Sequence, residues 1–142
     1  MPKVAIVIFV LFAIAFIFLL FKRWLVRKLR SREFSLTDKK AWAEKWASIE
    51  ALVDQGETHW SIAVIEADKL FDRVLKAKSL PGKDMGERLR FLTRSKPQLR
   101  YVWPAHLTRN RLVHEANYQP DRGTARRAVH TFGKALRELG VL

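Results

Sequence analysis

Arg109, Asn110 and His114 are the residues of this chain whose types and spacing are best suited to chemistry. An arginine can hold a phosphodiester group and stabilise the charge that develops on it. A histidine can move protons near neutral pH, and an asparagine beside it can orient a phosphate or a sugar hydroxyl. In RNA the 2′-hydroxyl is a built-in nucleophile, so the protein has to supply only a base, an acid and positive charge. The three residues therefore predict metal-independent cleavage of a phosphodiester, with a 2′,3′-cyclic phosphate as product.

The segment that carries these residues is predicted to be a helix, roughly from 102 to 118. Asn110 and His114 are four residues apart, so their side chains are adjacent on such a helix. Arg109 falls near the middle of the apolar side, where a charge is costly unless it is paired. We expect its guanidinium group to meet either a carboxylate, for which Glu66 is the candidate, or a bound anion.

Other kinds of site fit the sequence less well. His106 shares a face with Asn110 and is the expected supporting residue, but it lies eight residues from His114. That spacing is about 12 Å along a helix, too far for the two imidazoles to share one metal ion. His59 and His130 are isolated. The chain has no cysteine and no glycine-rich nucleotide-binding motif, so we expect neither a metal nor a cofactor.

Positive charge surrounds the predicted site. The chain has 27 Lys plus Arg against 14 Asp plus Glu, a balance that favours an anionic partner. From Arg88 to His114 there is no acidic residue, and the basic ones could form an electrostatic footprint for nucleic acid. The alternative is a solvated surface that binds nothing. The predicted nucleic-acid contacts are Arg88, Arg90, Arg94, Lys96, Arg100 and Arg111.

The N-terminal part of the chain predicts a membrane anchor. Residues 4–21 form a run of 18 residues without a charged or polar side chain, about 27 Å long as a helix and close to the thickness of a bilayer core. One lysine precedes this run and six basic residues follow it, so the positive-inside rule leaves the remaining chain in the cytoplasm. We also expect the basic cluster to contact anionic lipid head groups. An alternative role for the basic domain as a whole is binding to a lipid surface.

The predicted fold class is all-α, because the apolar spacings repeat as in helices and no segment alternates like a strand. We expect an anchor at 1–21, a basic juxtamembrane linker at 22–36 and a bundle of four to five helices at 37–142. Trp42 and Trp46 fall on one apolar stripe and are predicted to lie in the core. The alternative for them is a stacking platform for bases. The helices are expected from the Ser35–Asp38 cap to Asp54, from His59 to Lys78, from the Asp84 cap to Arg94, from Val102 to Tyr118, and from the 120–124 turn to Leu139.

Arg109-Asn110 followed by His114, late in an all-helical domain, resembles the signature of the HEPN (higher eukaryotes and prokaryotes nucleotide-binding) family. The segment from His59 to Ala67 is similar to an earlier helix of that family, and the resemblance covers about 38–139. It implies a bundle of four or more helices, commonly dimeric, with a metal-independent endoribonuclease site assembled from both copies. Arg109 would then bind the scissile phosphate, Asn110 would help orient it, and His114 would act as general base or acid.

The second hypothesis for this chain is an interaction module without catalysis. It would be a small helical bundle, held at the inner face of the membrane, that binds a protein, a nucleotide or RNA. On this interpretation Arg109 is a buried structural charge paired with Glu66, and His114 completes a polar network.

Overall fold

The computed structural model describes residues 9, 11–23 and 34–142, and the chain divides into two units, Met1–Glu33 and Phe34–Leu142. In the first unit, residues 11–23 form helix α1. The large apolar side chains of α1 are exposed, from 49% for Leu20 to 72% for Phe12.

The predicted membrane span reaches beyond these residues. Among the residues that the structure describes, no helix is both long enough and apolar enough to cross a membrane. Residues 4–8 and 10 of the predicted span lie outside the described residues, as do residues 24–33 of the predicted juxtamembrane linker. The anchor and the lipid contacts of the basic cluster therefore stay predictions.

The second unit is a bundle of α-helices joined by short connections. Over the described ranges the chain contains helices and no strand, which confirms the all-α class and the helical bundle. The elements of the bundle are α2 (Leu36–Asp54), α3 (Glu57–Ala77), α4 (Met85–Ser95), a 3-10 helix (Pro97–Val102), α5 (Trp103–His114) and α6 (Arg122–Glu138).

Local sequence explains where most of these helices begin. Ser35 and Asp38 form a reciprocal capping box at the start of α2, and the Asp121 carboxylate accepts the Thr124 N–H at the start of α6, so both ends satisfy amides that the helix leaves unpaired. Asp84 caps α4 by accepting the Glu87 N–H at 2.8 Å. The helices α2, α3, α4 and α6 end within one residue of their predicted ends.

Helix α3 lies at the centre of the bundle and packs against each of the other four α-helices of this unit. Its Phe71 meets Phe132 of α6, with ring centroids 5.5 Å apart, and both rings are fully buried. Burial on this scale stabilises the fold by about 2 kcal/mol for each large apolar side chain. Trp46 is buried and Trp42 packs against the core, so the core interpretation of this pair is correct.

Helix α5 was predicted to continue to Tyr118, and this end is wrong. The helix stops at His114 because Glu115 takes an extended conformation, and the Tyr118 N–H then closes a turn onto the Glu115 carbonyl. Arg111 holds this turn, since its Nε lies 3.1 Å from both carboxylate oxygens of Glu115 and its guanidinium stacks over the Tyr118 ring. Burial decreases along α5, from the buried Ala105 to the exposed C-terminal turn. The polar residues of interest therefore lie where the helix leaves the core.

Candidate active site

A cleft of about 710 Å³ opens where the C-terminal half of α3, the start of α4 and one face of α5 meet. The residues predicted to do chemistry, Arg109, Asn110 and His114, all line it, and so does His106. The rest of its lining comes from the other two helices, from the loop between them and from Trp103. These residues are Asp68, Lys69, Asp72, Lys76, Lys83, Asp84, Met85, Gly86, Glu87, Arg88, Arg90 and Trp103.

The Arg109 side chain lies at the wall of this cleft and is 27% exposed. Its Nε atom is buried and lies 3.4 Å from Oδ2 of Asp68, within ion-pair distance but not aligned for a hydrogen bond. Its Nη1 donates to Oδ1 of Asn110 at 3.2 Å. The guanidinium group carries five N–H donors, and among the described residues it makes this one hydrogen bond. Apart from the buried Nε–H, the other N–H donors of the two terminal nitrogens have no hydrogen-bond acceptor among the described residues.

The prediction that Glu66 receives this guanidinium is wrong. Glu66 instead pairs with Lys45 at 3.5 Å and with Lys69 at 2.9 Å, and the hydrogen bond from Lys69 lowers the pKa of its carboxyl group. Asp68, two residues further along α3, faces Arg109 in its place. Because two residues correspond to about 200° of rotation around a helix, the two carboxylates leave α3 on nearly opposite sides.

Asp68 is almost completely buried, with 2% of its surface exposed, and it holds His106 as well as Arg109. The His106 Nδ1 lies 2.7 Å from Oδ1 of Asp68. An ionised carboxylate can only accept hydrogen bonds, so Nδ1 carries a proton. His106 is itself 95% buried, and its ring edge meets the Trp103 ring. Asp68 thus fixes both the position and the tautomer of this histidine.

Asn110 closes a ring of contacts around Asp68. Its Nδ2 lies 3.3 Å from Nε2 of His106, and its Oδ1 accepts from Arg109. The four side chains Asp68, His106, Asn110 and Arg109 therefore join end to end, and we call this set the Asp68 ring.

His114 lies outside the Asp68 ring. It occupies the last residue of α5, is exposed and lines the same cleft as Arg109. Among the contacts between described residues, none joins its imidazole to the ring. The cleft therefore combines an arginine, which can bind a phosphate, with an accessible histidine, which can move a proton.

The opposite edge of the cleft is fastened by Arg88, which was predicted to contact nucleic acid. Arg88 is buried instead, with its Nε donating to Asp72 at 2.6 Å and its Nη1 donating to the Gly82 carbonyl at 2.5 Å. Burial acts to raise the pKa of the Asp72 carboxyl, but hydrogen bonds from Arg88 and Lys76 outweigh it and the pKa lies below its ordinary value. Gly82 has φ +152°, and an added Cβ would lie 2.7 Å from the Arg88 amide nitrogen. The assignment of Arg88 to a nucleic-acid surface is therefore wrong, because Arg88 holds the loop against α4.

Several basic side chains remain around the cleft. Lys69 and Lys76 are paired with acidic residues on their own helix, whereas no ion pair of the described residues involves Lys83 or Arg90, which are both exposed. Six basic and four acidic side chains line the cleft in all. The rim of the cleft therefore favours an anion. Of the rim cations, the sequence analysis predicts only Arg90 as a nucleic-acid contact.

The other predicted nucleic-acid contacts lie away from the cleft lining. Arg94, Lys96 and Arg100 are exposed, and Arg111 is occupied by Glu115 and Tyr118. The acid-free stretch of sequence is thus divided between a buried residue, a rim residue and an outer surface.

Trp103 and Gly86 also line the cleft. Trp103 is half-buried, and its Nε1 donates to Oγ1 of Thr93 at 3.4 Å. A Cβ added at Gly86 would lie 3.6 Å from Nε2 of His106, so the start of α4 approaches the imidazole closely. Among the described residues there is no group of three His, Asp or Glu side chains that could hold a metal ion.

Comparison with other proteins adds no assignment for the fold or the cleft. No protein-family model, no curated protein and no solved structure matches the chain.

Proposed function

We propose that the chain is a membrane-anchored, HEPN-like endoribonuclease that cleaves RNA in this cleft without a metal ion. The observation that carries the proposal is that the partly exposed Arg109, which contacts Asp68 through Nε and Asn110 through Nη1, lines the same cleft as His114. A partly exposed arginine with unused donors is suited to an anion that comes and goes.

The proposed reaction begins with a phosphodiester against the Arg109 guanidinium. The 2′-oxygen attacks phosphorus, its proton passes to a base, the bond from phosphorus to the 5′-oxygen breaks, and an acid supplies a proton to that oxygen. The products are a 2′,3′-cyclic phosphate and a 5′-hydroxyl. Arg109 stabilises the charge on the phosphate oxygens, and His114 is one of the two proton-transfer groups. In a homodimer, which the HEPN resemblance implies, His114 of a second copy is the other.

Long-range attraction for the substrate comes from the rim. Lys83 and Arg90 are exposed at the edge of the cleft, without ion-pair partners among the described residues. Such cations raise the local concentration of a polyanion and weaken in effect as salt is added.

The direct test is cleavage of a single-stranded RNA by the full chain in detergent micelles, in the presence of EDTA. We expect a 2′,3′-cyclic phosphate product, no cleavage where the 2′-hydroxyl is replaced by hydrogen, and a loss of about a hundredfold or more in His114→Ala. His130→Ala is the matched control, because His130 is exposed on α6 and does not line the cleft. Absence of cleavage, or equal cleavage by the wild type and both variants, would sink the nuclease proposal.

The membrane anchor is a separate part of the proposal. It is supported by the apolar run at 4–21 and by the exposed apolar side chains of α1, and it places the bundle and the basic cluster at the cytoplasmic face, next to anionic lipid. Alkaline extraction of membranes tests it, since an integral protein stays with the pellet. Recovery of the full chain in the supernatant contradicts the anchor and leaves the nuclease proposal unaffected.

A non-catalytic interaction module is the second candidate, and one observation favours it. Arg109 belongs to a closed ring of four side chains around a buried carboxylate, an arrangement that a purely structural charge could also have. On this candidate, Arg109→Ala lowers the free energy of unfolding by several kcal/mol, as expected when a buried charge loses its partner, while His114→Ala changes nothing measurable in RNA cleavage.

A further inference from the structure

The mechanism above gives His106 no role, although His106 is among the most buried polar residues of the domain. It is 95% buried, and both of its ring nitrogens are engaged, Nδ1 with Asp68 and Nε2 with Asn110. Among the described residues no hydrogen bond joins His106 to Arg109 directly, but Asn110 bridges the two. His106 can therefore act on the guanidinium only through Asn110.

The hydrogen bonds of the Asp68 ring have one consistent direction. Because the Asp68 carboxylate only accepts, the His106 Nδ1 must donate, and a neutral imidazole then carries a lone pair on Nε2. This lone pair can only accept a hydrogen bond, so the Asn110 amide turns its NH₂ group toward Nε2. The Asn110 Oδ1 is then left facing Arg109 Nη1, which can only donate.

We infer that His106 is a positioning residue. Its Nδ1–H tautomer sets the orientation of the Asn110 amide, and this amide sets the orientation of the Arg109 guanidinium. The inference rests on the proposed function, because it gives the anion site at Arg109 a means of regulation. When Nε2 takes a proton, it faces the Asn110 NH₂ group as a second donor. The amide must rotate to offer Oδ1 to His106, and its NH₂ group then faces the donors of Arg109. The guanidinium then loses its hydrogen bond to Asn110 and keeps only the ion pair with Asp68, so acid weakens anion binding.

Charged groups on α3, at the start of α4 and on α5 line the cleft with His106, and their contacts leave this response intact. On α3, Asp68 accepts from His106, Lys69 pairs with Glu66, and Asp72 pairs with Arg88 and Lys76. At the start of α4, Asp84 accepts the Glu87 N–H, and the Glu87 carboxylate accepts the Lys83 N–H. On α5, Arg109 and His114 share its cleft. Asn110 is therefore the partner of Nε2 among the described residues, and protonation of Nε2 acts on it.

His114 would respond to acid in the opposite direction, since a protonated imidazole in the cleft attracts an anion. A His114→Gln background removes this second response. His59 and His130 do not line the cleft, so the remaining pH response of anion binding in that background reports His106.

The test uses the full chain in detergent micelles and a fluorescent oligoribonucleotide made non-cleavable by 2′-O-methyl groups. In the His114→Gln background we expect the dissociation constant to rise about tenfold as the pH falls from 8 to 5, the loss expected for one hydrogen bond to a charged group. Asn110→Asp should reverse this trend, because a carboxylate at 110 can accept from both protonated Nε2 and Arg109. Asn117→Asp, which adds the same charge at an exposed residue outside the cleft lining, should keep the parental trend.

Nitrogen NMR of the same chain supplies a readout that needs no RNA. We expect the Nδ1–H tautomer for His106 at pH 8, and side-chain signals of Asn110 and Arg109 that move together as the pH is lowered to 5. If the oligonucleotide does not bind but these signals are coupled, the positioning role stands and the nuclease proposal falls. An Nε2–H tautomer, uncoupled signals or, where the oligonucleotide binds, an affinity that does not fall with acid overturns the positioning role, even if RNA is cleaved.

Discussion

Two aspartates one turn apart on α3 each face an arginine from another helix, and the two pairs differ in how completely they are closed. Asp72 and Arg88 meet at 2.6 Å, the Arg88 side chain is 5% exposed, and a second donor is used by the Gly82 carbonyl. Asp68 and Arg109 approach to 3.4 Å without a hydrogen bond, and the Arg109 side chain is 27% exposed. Both arginines line the same cleft.

The difference shows how two arginines in one cleft can have separate roles. A guanidinium whose donors are used by its own protein is a structural fastener, and removing it takes a donor away from each of its acceptors. A guanidinium with free donors at a cleft wall can exchange water for a ligand. Arg88 therefore belongs to the stability of the loop and α4, whereas Arg109 belongs to the proposed anion site.

The largest predicted effect is a loss of stability in the variant Arg88→Ala. We expect the free energy of unfolding to fall by about 3 kcal/mol, because a largely buried Asp72 loses its main partner and the Gly82 carbonyl loses its donor. Urea unfolding of the full chain in micelles, followed by circular dichroism, measures it. Arg90→Ala, two residues along the same helix and exposed, should change stability by less than about 0.5 kcal/mol. Equal losses in the two variants would remove the distinction between a fastened and a free arginine.

Arg109→Ala should show the reverse balance. We expect a loss of stability of about 1 kcal/mol, the worth of one hydrogen bond, because Asp68 keeps His106 as a partner. Affinity for a 2′-O-methyl oligoribonucleotide should fall tenfold or more, measured by fluorescence anisotropy at low salt, as expected for a lost charge-assisted contact.

Arg111→Ala is the control for that variant, since Arg111 lies two residues away and pairs with Glu115 outside the cleft lining. It should leave the affinity nearly unchanged. A loss of several kcal/mol in Arg109→Ala with unchanged affinity would instead make both arginines structural and favour the interaction module.

Much of the bundle could be predicted from sequence, because helix formation depends on local spacing and capping. The apolar positions of α3 recur every three or four residues, and the Ser35 and Asp84 caps act within one turn, so the helices and most of their ends followed directly. The end of α5 did not follow, since it depends on the contacts of Arg111 with Glu115 and Tyr118 rather than on apolar spacing.

The candidate site was predictable along one helix and not between helices. The spacing of Asn110 and His114 placed them on one side of α5, and both line the cleft with Arg109. A helical wheel gives no rotation of one helix relative to its neighbour, so the partner of Arg109 was assigned to Glu66 instead of Asp68. A signal for Asp68 did exist in the sequence. Asp68 lies four residues after Val64 and three before Phe71, which are both fully buried residues of α3. A carboxylate within such an apolar stripe requires a partner.

The smallest expected effect is on the pH dependence of the free energy of unfolding, and it tests the contrast between the two ion pairs through Asp72. Burial acts to raise the pKa of Asp72, but hydrogen bonds from Arg88 and Lys76 hold this pKa below the ordinary value of an aspartate. A carboxylate with a lowered pKa in the folded state stabilises the protein above its unfolded pKa, and this contribution disappears as the pH falls through the folded pKa. We therefore expect the wild type to exceed Asp72→Asn in free energy of unfolding at pH 5 and this excess to shrink by pH 3. Urea unfolding at both values measures it, and Asp54→Asn, at an exposed ion pair with Arg122, is the control in which little changes. An excess that stays constant or grows toward pH 3 would mean that Asp72 is not held ionised by Arg88, and the contrast between the two pairs would then rest on geometry alone.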